Sequence, residues 1–453
     1  MLDWIKSHRI LLLYIFISVV FYVSFSYDLI RSDFIKLISL YGALFFLAYK
    51  IIALSRSSFW MLAVVGIAFR LISIVAIPNL SQDFYRFLWD GRLLIQGINP
   101  YLLTPEFYIQ SGREIVPQAQ ELYSGMGALN ASHYSNYPPI NQLFFAIAAL
   151  CAGKSILGSV IVLKLIIILA DIGILYFGKK LLENLNLPIS NIFWYFLNPF
   201  IIIELTGNLH FEGVMLFFLI WALFLLHKGK WLLAGVLFGI SISVKLIPLM
   251  LLPLLYQYFV KEGLFLKGFW RLKKFYWIII GVVLLTFAPF LSSEFISNFS
   301  ATIALWFQSF EFNASIYYII RWIGFQTIGW NIIEPVGKIL PLIIIASILF
   351  LTFFRNNKST QQLITAMLIG ISCYFLLSTT VHPWYVATPL LLSVFTNYKY
   401  PIVWSFMVIL SYSAYGVNGF EENLWLVALE YVVILSVALV EISKKKTSLA
   451  LDN

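Results

Sequence analysis

The sequence has little charge and almost no cysteine. Asp, Glu, Lys and Arg make up 11% of its 453 residues, whereas hydrophobic residues make up 61% and aromatic residues 18%. A soluble globular protein could not keep this composition in solution, so we predict an all-α, polytopic membrane protein embedded in a lipid bilayer. The two cysteines, Cys151 and Cys373, lie far apart in apolar runs, which predicts buried thiols rather than a disulfide framework or a metal knuckle.

Motifs that bind soluble nucleotides are also missing. The sequence contains no phosphate-binding glycine loop, no HExxH, no GxSxG and no nucleotide-fold pattern. The formal net charge of +9 comes from short Lys and Arg clusters scattered between apolar runs, so we expect no nucleic-acid partner. If the protein is an enzyme, its energy-rich substrate must therefore arrive in the membrane.

Apolar runs indicate one transmembrane domain over residues 1–443, a bundle of about 12–14 spanning helices. The runs are 10–27, 35–55, 58–78, 156–178, 191–206, 211–227, 275–291, 332–354, 361–381, 383–396, 400–416 and 424–442. No cleavage signal follows the first run, so we expect it to be an uncleaved span. Two further segments are ambiguous: we expect 139–152 to dip into the membrane and 231–259 to form two short helices.

Basic clusters predict which loops share a membrane face. With about fourteen crossings, the clusters near residues 179–180, 227–230, 261–274, 355–358 and 444–446 all fall inside with the N-terminus, and 444–453 becomes a short basic cytoplasmic tail. The polar segments that then fall on the outer face are 79–138, which carries surface helices, 208–212, Lys245, 292–331 and 381–385. This convergence of ionisable groups is what an active site at a membrane face requires.

The first strongly polar stretch, residues 81–101, predicts an amphipathic helix that lies on the membrane surface. Asp83, Arg86 and Asp90 share one face at i, i+3 and i+7. Ser81 is a candidate N-cap, and the helix dipole favours the ionised form of Asp83, which keeps it available as a proton acceptor. The alternative for Asp83 is a cap or a partner of Arg86.

Asp90 and Arg92 flank Gly91, and we predict that they hold this helix in place, with direct substrate contact as the alternative. Lys245 has no adjacent acid; it either reaches the membrane surface or offers its charge to a phosphate. For Arg321, phosphate contact and structural pairing are both open. His382 precedes a proline and is predicted to be a fixed hydrogen-bond donor at the cavity mouth.

The segment containing Glu204, Asn208, His210 and Glu212 brings several polar groups to one corner. Sugar or phosphate binding, metal binding and structural packing are the alternatives there, although the spacing lacks a zinc motif. The aromatic candidates for stacking against a sugar are at the same expected face, where an interfacial aromatic belt is the alternative; they are Tyr137, Trp384 and Tyr385.

These motifs together resemble those of one family. Gln82-Asp-Phe-Tyr-Arg86, Trp89-Asp-Gly-Arg92 and Gly97-Ile-Asn-Pro-Tyr101 look like the first outer loop of the multi-spanning C-type glycosyltransferases, and most of all like bacterial mannosyltransferases that use polyprenyl-phosphate-mannose. Tyr137-Pro-Pro139 and the segments 208–212, 244–248 and 382–385 follow in the family's order. The resemblance covers about residues 58–390.

The resemblance implies inverting transfer of a hexose, expected to be mannose, from a polyprenyl-phosphate donor to a glycan or lipid-linked acceptor. It places the site on the periplasmic face of a bacterial inner membrane. The family's general base falls on Asp83. The phosphate of such a donor would contact cations or polar groups. The candidates for this contact are Arg86, Lys245, His382 and Arg321. The sugar or acceptor would lie beside Tyr137, Asn208, His210, Glu212, Trp384 and Tyr385.

Two further expectations come with the resemblance. Many members carry a pair of acids where this chain has Asp83 alone, between Gln82 and Phe84, so we assign no metal ligand and keep a divalent cation as the alternative cofactor. A lipid-linked saccharide flippase or transporter, or a surface-polysaccharide polymerase, is the alternative function. Charges gathered at one face and the lack of a visible repeat favour the enzyme.

Overall fold

The computed structural model describes residues 2–55, 58–113, 115–260, 265–308, 310–417 and 419–451. The regular secondary structure of this part of the chain is helical, apart from an isolated bridge and two short strands, β1 (Tyr415–Gly416) and β2 (Gly419–Phe420). The strands pair antiparallel, with Tyr415 opposite Phe420. The all-α prediction is confirmed.

The α-helices of the first half, in chain order, are α1 (Leu2–Tyr27), α2 (Phe34–Leu54), α3 (Phe59–Ile72), α4 (Asp83–Leu94), α5 (Pro105–Gln110), α6 (Ala119–Ala131), α7 (Pro139–Ala152), α8 (Ile156–Asn184), α9 (Phe193–Phe196) and α10 (Glu212–His227). Those of the second half are α11 (Trp231–Val244), α12 (Tyr256–Phe259), α13 (Phe265–Phe287), α14 (Ser293–Gln308), α15 (Ile316–Thr327), α16 (Ile333–Phe353), α17 (Thr360–Leu377), α18 (Ala387–Ser393), α19 (Tyr400–Met407) and α20 (Leu424–Leu451). The residues expected to form a basic tail therefore continue α20 as far as Leu451.

Tighter or wider helical turns extend several of these helices. Segments of 3-10 helix are Ile189–Ile192, Ile247–Leu255, Ala288–Phe290, Pro383–Val386 and Val408–Ala414. Residues Ile201–Gly207 form a π-helical segment.

Seven helices in the described residues are long and apolar enough to cross a membrane. They are His8–Tyr27 of α1, α2, α8, Phe265–Phe290, α16, α17 and Leu424–Lys444 of α20. A bent pair, Ile189–Phe196 with Ile201–Gly207, raises the number to eight if it is one span. Six shorter apolar helices remain, so the expected 12–14 crossings require that at least four of these also cross. They are Phe59–Ile72, Pro139–Ala152, Glu212–His227, Trp231–Val244, Ile247–Phe259 and Tyr400–Ala414.

Prolines and polar residues break two of the long apolar runs. The run 231–259 forms two short helical pieces, as expected: α11 ends at Val244, Lys245 is extended, and 3-10 turns begin at Ile247. The run 191–206 was expected to be one span, but it bends by 58° between Phe196 and Ile201. Pro199 lies in this gap, and a proline cannot donate the backbone hydrogen bond that would continue the helix.

The two cysteines are both free, as expected, but only one of them is even partly buried. Cys373 is half-buried, whereas Cys151 is exposed near the end of α7. The prediction of a buried thiol is therefore wrong for Cys151. The neighbouring Leu150 is 70% exposed, so this end of α7 points away from the protein core.

An ion pair in the apolar interior joins α3 to α8. Arg70 Nε lies 2.8 Å from Asp171 Oδ2, and both side chains are fully buried. Arg70 Nη1 also donates to the carbonyl of Phe196, at 2.8 Å. Just beyond α3, Lys164 Nζ donates to the carbonyls of Ser73 and Ala76. These contacts fix the end of α3, and so the start of the loop that leads to α4.

Helix α4 is the predicted amphipathic helix, but it lies inside the protein and not on an open surface. Residues 86–93 are all buried, because α6 and α7 cover the helix from two sides. Phe87 stacks on Phe145 of α7 with ring centroids 4.5 Å apart. The expected charged face is tolerated in this interior because Arg86 pairs with Asp90 at 2.8 Å.

Close contact between α4 and α7 requires the glycine at position 91. A Cβ on Gly91 would overlap the backbone carbonyl of Phe145. We predict that Gly91→Ala destabilises the protein by about 1–3 kcal/mol, because the two helices must move apart. The measurement is thermal unfolding of purified protein in detergent.

Gly42→Ala is the matched control for this substitution, since a Cβ on Gly42 of α2 would meet nothing within 4 Å. It should unfold at the wild-type temperature or slightly above it. Equal unfolding temperatures for Gly91→Ala and Gly42→Ala would contradict the proposed contact.

Candidate active site

Polar side chains from separate segments of the chain meet around Asp83. Its carboxylate interacts electrostatically with Lys245, Glu212 and Arg31. It also interacts with three tyrosine hydroxyl groups. We call this group the Asp83 cluster; its members are Arg31, Asp83, Tyr137, Glu212, Lys245, Tyr385 and Tyr415. Apart from 292–331, each segment that was expected to share one membrane face thus contributes at least one residue to this cluster.

Asp83 is the first residue of α4 and is partly accessible. Its backbone N–H donates to Ser81 Oγ at 3.3 Å, while Gln82 occupies the N-cap position that we had predicted for Ser81. Within the described residues, no hydrogen bond or ion pair reaches the Asp83 carboxylate. Burial raises the pKa of Asp83 to about 6; the Lys245 charge opposes this rise and the Glu212 charge adds to it. At pH 7 the group is largely ionised and can accept a proton.

Lys245 faces Asp83 but is already paired. Its Nζ forms an ion pair with Glu212 Oε1 and lies 5.9 Å from the centre of the Tyr385 ring. The break between α11 and the following 3-10 helix carries Lys245, while Glu212 begins α10. Glu212 Oε2 is buried and has no hydrogen-bond partner among the described residues. Glu212 therefore compensates most of the positive charge that Lys245 would offer to a ligand.

Three rings form a stack beside this ion pair. The Trp384 indole stacks on His210, with centroids 3.6 Å apart, and on His382, with centroids 4.6 Å apart. Burial and, to a smaller extent, the Lys245 charge lower the pKa of His210 well below its usual range and that of His382 to about 3. Both imidazoles are therefore neutral at pH 7, so His382 brings no positive charge.

Asn208 holds the segment that leads into α4. Its Oδ1 accepts from the backbone N–H groups of Asn79 and Leu80, at 3.1 and 2.8 Å. Its Nδ2 donates to the carbonyl of Ile203. The next residue, Leu209, has a φ of 62°, a strained conformation for leucine that these contacts stabilise. Asn208 thus positions the Asp83 segment, and its contact with a sugar stays a prediction.

The Arg86–Asp90 pair forms a fixed support under the cluster. Asp90 Oδ2 also accepts from Ser135 Oγ and from Gln142 Nε2. Arg86 Nη1 donates to the carbonyls of Asn130 and His133, at 3.1 and 2.9 Å. Asp90 thus has the structural contacts that we predicted for it. Within this ion pair, Arg86 Nη2 is buried and has no hydrogen-bond partner among the described residues.

Arg92 and Arg321 lie away from the Asp83 carboxylate. Arg92 donates to the carbonyls of Pro117 and Lys154, in agreement with a structural role. Arg321 forms an ion pair with Glu311, and its guanidinium lies 4.2 Å from the centre of the Tyr318 ring. The structure gives Arg321 no contact with the Asp83 cluster among the described residues. The ion pair of Arg321 with Glu311 corresponds to structural pairing, one of the two roles that the sequence analysis considered for Arg321.

The sequence analysis did not single out two members of the Asp83 cluster, Arg31 and Tyr415. Arg31 lies between α1 and α2, donates from Nη1 to the Leu80 carbonyl at 3.0 Å, and stands 4.0 Å over the Tyr415 ring. The topology did contain a signal for Arg31, because it placed the loop between the first two spans on the outer face. Tyr415 had no such signal, since one tyrosine among 25 carries no distinguishing pattern.

Among the described residues, no group of three His, Cys, Asp or Glu side chains is arranged to hold a metal ion. The alternative of a divalent cation stays a prediction. The site combines a largely ionised carboxylate with two nearby cations and several tyrosine hydroxyl groups.

Fold and site together define a polytopic helical membrane protein with an acid-centred site at one end of its bundle. The family model described as "Alpha-(1->6)-mannopyranosyltransferase, N-terminal domain" matches residues 34–261, and the chain belongs to this family, MptA_B. The chain is also similar to Alpha-(1->6)-mannopyranosyltransferase A of Mycobacterium tuberculosis (strain ATCC 25618 / H37Rv). The two are 21% identical over 334 residues, which are 70% of this chain and 61% of that protein.

The charge of Glu212 is predicted to set the proton affinity of Asp83. Glu212→Gln removes a negative charge that raises the Asp83 pKa and leaves the Lys245 charge uncompensated, so the Asp83 pKa should fall below about 6. Infrared titration of the carboxylate band in purified protein measures this shift, with Asp83→Asn identifying the band. An unchanged or higher midpoint would contradict the arrangement of these three charges.

Proposed function

We propose that this protein is a membrane mannosyltransferase that uses polyprenyl-phosphate-mannose, with Asp83 as the general base. The observation that carries the proposal is the Asp83 carboxylate, which has no ion-pair partner in the described chain and has a pKa raised to about 6. Membership in a family described as mannopyranosyltransferases supports the sugar, and the mycobacterial relative's name agrees. The predicted bilayer environment supports a donor that carries its own lipid.

The proposed reaction is a single displacement. An acceptor hydroxyl gives its proton to an oxygen of Asp83 as its own oxygen forms a bond to C1 of the mannose. The bond between C1 and the phosphate oxygen breaks, and its electron pair leaves with the polyprenyl phosphate. Attack opposite the leaving group inverts the configuration at C1. The base must lie within about 3 Å of the hydroxyl.

Neighbouring groups favour this displacement electrostatically. Negative charge grows on the leaving phosphate, and a cation fixed nearby stabilises it in a site that excludes water. Lys245 contributes to this stabilisation, although its ion pair with Glu212 reduces the charge that it offers to the phosphate. The hydroxyl groups of Tyr137 and Tyr385 interact electrostatically with Asp83, so both are positioned to contact the sugar or the acceptor.

The acceptor in this proposal is a glycan or lipid-linked saccharide outside the cytoplasm. The basic clusters support this orientation, because they are expected to lie at the opposite face from the Asp83 cluster. In a bacterium the protein would be an inner-membrane enzyme whose site faces the periplasm.

Removal of the base should abolish turnover. We predict that Asp83→Asn lowers mannose transfer by about 10²–10⁴-fold, because the amide cannot take the acceptor's proton. The assay uses purified protein, membrane extract as acceptor, and polyprenyl-phosphate-mannose beside the glucose and arabinose analogues. Glu106→Gln, an acid of the same outer segment in the first turn of α5, should retain activity. Near-normal turnover by Asp83→Asn would show that another group is the base.

The rate should also depend on pH through the same carboxyl group. Because burial raises the pKa of Asp83 to about 6, its base form is lost as pH falls through that value. Well below pH 6, kcat/KM should fall about tenfold for each pH unit. The check is a pH–rate profile of the wild type, in which a limb centred near pH 4 would indicate a solvated carboxylate instead.

A further inference from the structure

We propose that Arg31 binds the phosphate of the lipid donor, in a recess between the loop 28–33 and the hairpin formed by β1 and β2. This inference rests on the proposed function for the identity of the lipid. It adds a residue that the sequence motifs do not contain, since Arg31 lies before the family-like stretch that begins near residue 58.

The charges around Asp83 favour Arg31 over the other cations. Lys245 is paired with Glu212, and Arg86 is paired with Asp90. In the described part of the chain, no carboxylate lies within ion-pair distance of Arg31. Its Nη1 is bound to the Leu80 carbonyl, while Nε and Nη2 have no hydrogen-bond partner among the described residues. Arg31 thus retains both its charge and the donors needed to bind an anion.

The position of the guanidinium is fixed before any ligand binds. It lies 4.0 Å over the Tyr415 ring, and its hydrogen bond to Leu80 ties it to the segment just before Asp83. A planar guanidinium held in this way loses little freedom when it binds a phosphate through two parallel hydrogen bonds. Asp83 interacts electrostatically with both Arg31 and Tyr415, so the phosphate would lie close to the proposed base.

The recess has room for a phosphate and an apolar surface beside it. Its volume is about 460 Å³, and its lining consists of Ile30, Arg31, Ser32, Tyr415, Gly416, Gly419 and Phe420. Phe420 is 58% exposed and packs on Tyr415 with centroids 5.4 Å apart. Such a wall suits the first isoprene units of the donor, while Ser32 and Arg31 suit its headgroup.

The far wall of the recess is held in place by contacts from other segments. Glu421 N–H donates to the Ala414 carbonyl at 2.9 Å, which closes the hairpin. Glu422 accepts from the Asn313 backbone N–H at 2.6 Å and from the Tyr318 hydroxyl. The recess is therefore part of the ordered fold, because residues of α15 and the segment before it anchor the chain after β2.

A binding experiment that needs no catalysis tests this site. The full chain is reconstituted in phosphatidylcholine nanodiscs, and the affinity for polyprenyl phosphate without a sugar is measured. Arg31→Gln should weaken binding about 10- to 100-fold, as expected for loss of charged hydrogen bonds. Arg31→Lys keeps the charge but not the planar fork, so its loss should be smaller. Arg113→Gln is the matched control, because Arg113 lies over Phe107, away from the recess, and should not change binding.

Two further ligands, tested in the same assay, show whether the site recognises a prenyl-linked phosphate or any phosphate. Inorganic phosphate and nanodiscs that contain phosphatidylglycerol should compete weakly if the prenyl chain also contributes. Equal affinity of Arg31→Gln and wild type for polyprenyl phosphate would overturn the proposal. So would a wild type that does not bind this lipid, or one that binds phosphatidylglycerol equally well.

The same variants distinguish this proposal from the proposed function. If the wild type binds polyprenyl phosphate through Arg31 but transfers no mannose, the phosphate site stands and the transferase proposal fails. If the wild type transfers mannose and Arg31→Gln leaves both binding and the donor KM unchanged, the transferase proposal stands and the Arg31 site fails. If Arg31→Lys unfolds at the wild-type temperature, its weaker binding cannot be attributed to loss of the fold.

Discussion

The cost of placing charge in an apolar interior determines how this protein is built. An uncompensated ion buried among helices costs several kcal/mol, so each buried cation needs a carboxylate or carbonyls beside it. Arg70 with Asp171 and Arg86 with Asp90 meet this requirement. The first pair joins α3 to α8, whereas the second lies within α4 and is connected to other segments by the hydrogen bonds of Asp90 with Ser135 and Gln142. The first pair fixes the end of α3 and the second fixes α4. Between these two fixed points lies the loop that presents Asp83.

The same constraint explains why Asp83 and Arg31 stand out. Nearly every other ionisable group around them is compensated, whereas these two interact with each other's charge without forming an ion pair. A carboxylate kept apart from its nearest cations has a raised proton affinity, and a cation kept apart from carboxylates can still bind an anion. The neutral stack of His210, Trp384 and His382 fills the neighbouring space without adding charge. The proposed chemistry and the proposed phosphate binding thus both depend on groups that the fold leaves without an ion-pair partner.

The sequence predicted the helical class, most of the apolar segments and the convergence of polar loops, because hydropathy and basic clusters report directly on the bilayer. It also assigned a structural role to Asp90 and Arg92; this role stays a prediction, although both side chains form hydrogen bonds with neighbouring segments. It failed where the outcome depends on which partner a side chain finds. A surface position for α4 was wrong because α6 and α7 cover it, and no periodicity within α4 reveals those neighbours.

Pairing of charges across the chain was equally hidden. Lys245 and Glu212 are far apart in sequence, and neither has an oppositely charged neighbour that would suggest the ion pair. The stacking of His210 and His382 on Trp384 depends on two loops meeting, as does the contact of Arg31 with Tyr415. The motifs therefore identified segments that meet around Asp83, but they could not show which residues in those segments keep their charge. The walls of the Arg31 recess come from the first loop and from the hairpin before α20, so the recess is complete only after the ribosome has synthesised the chain past Phe420. A nascent chain that ends before this hairpin would lack the proposed phosphate pocket.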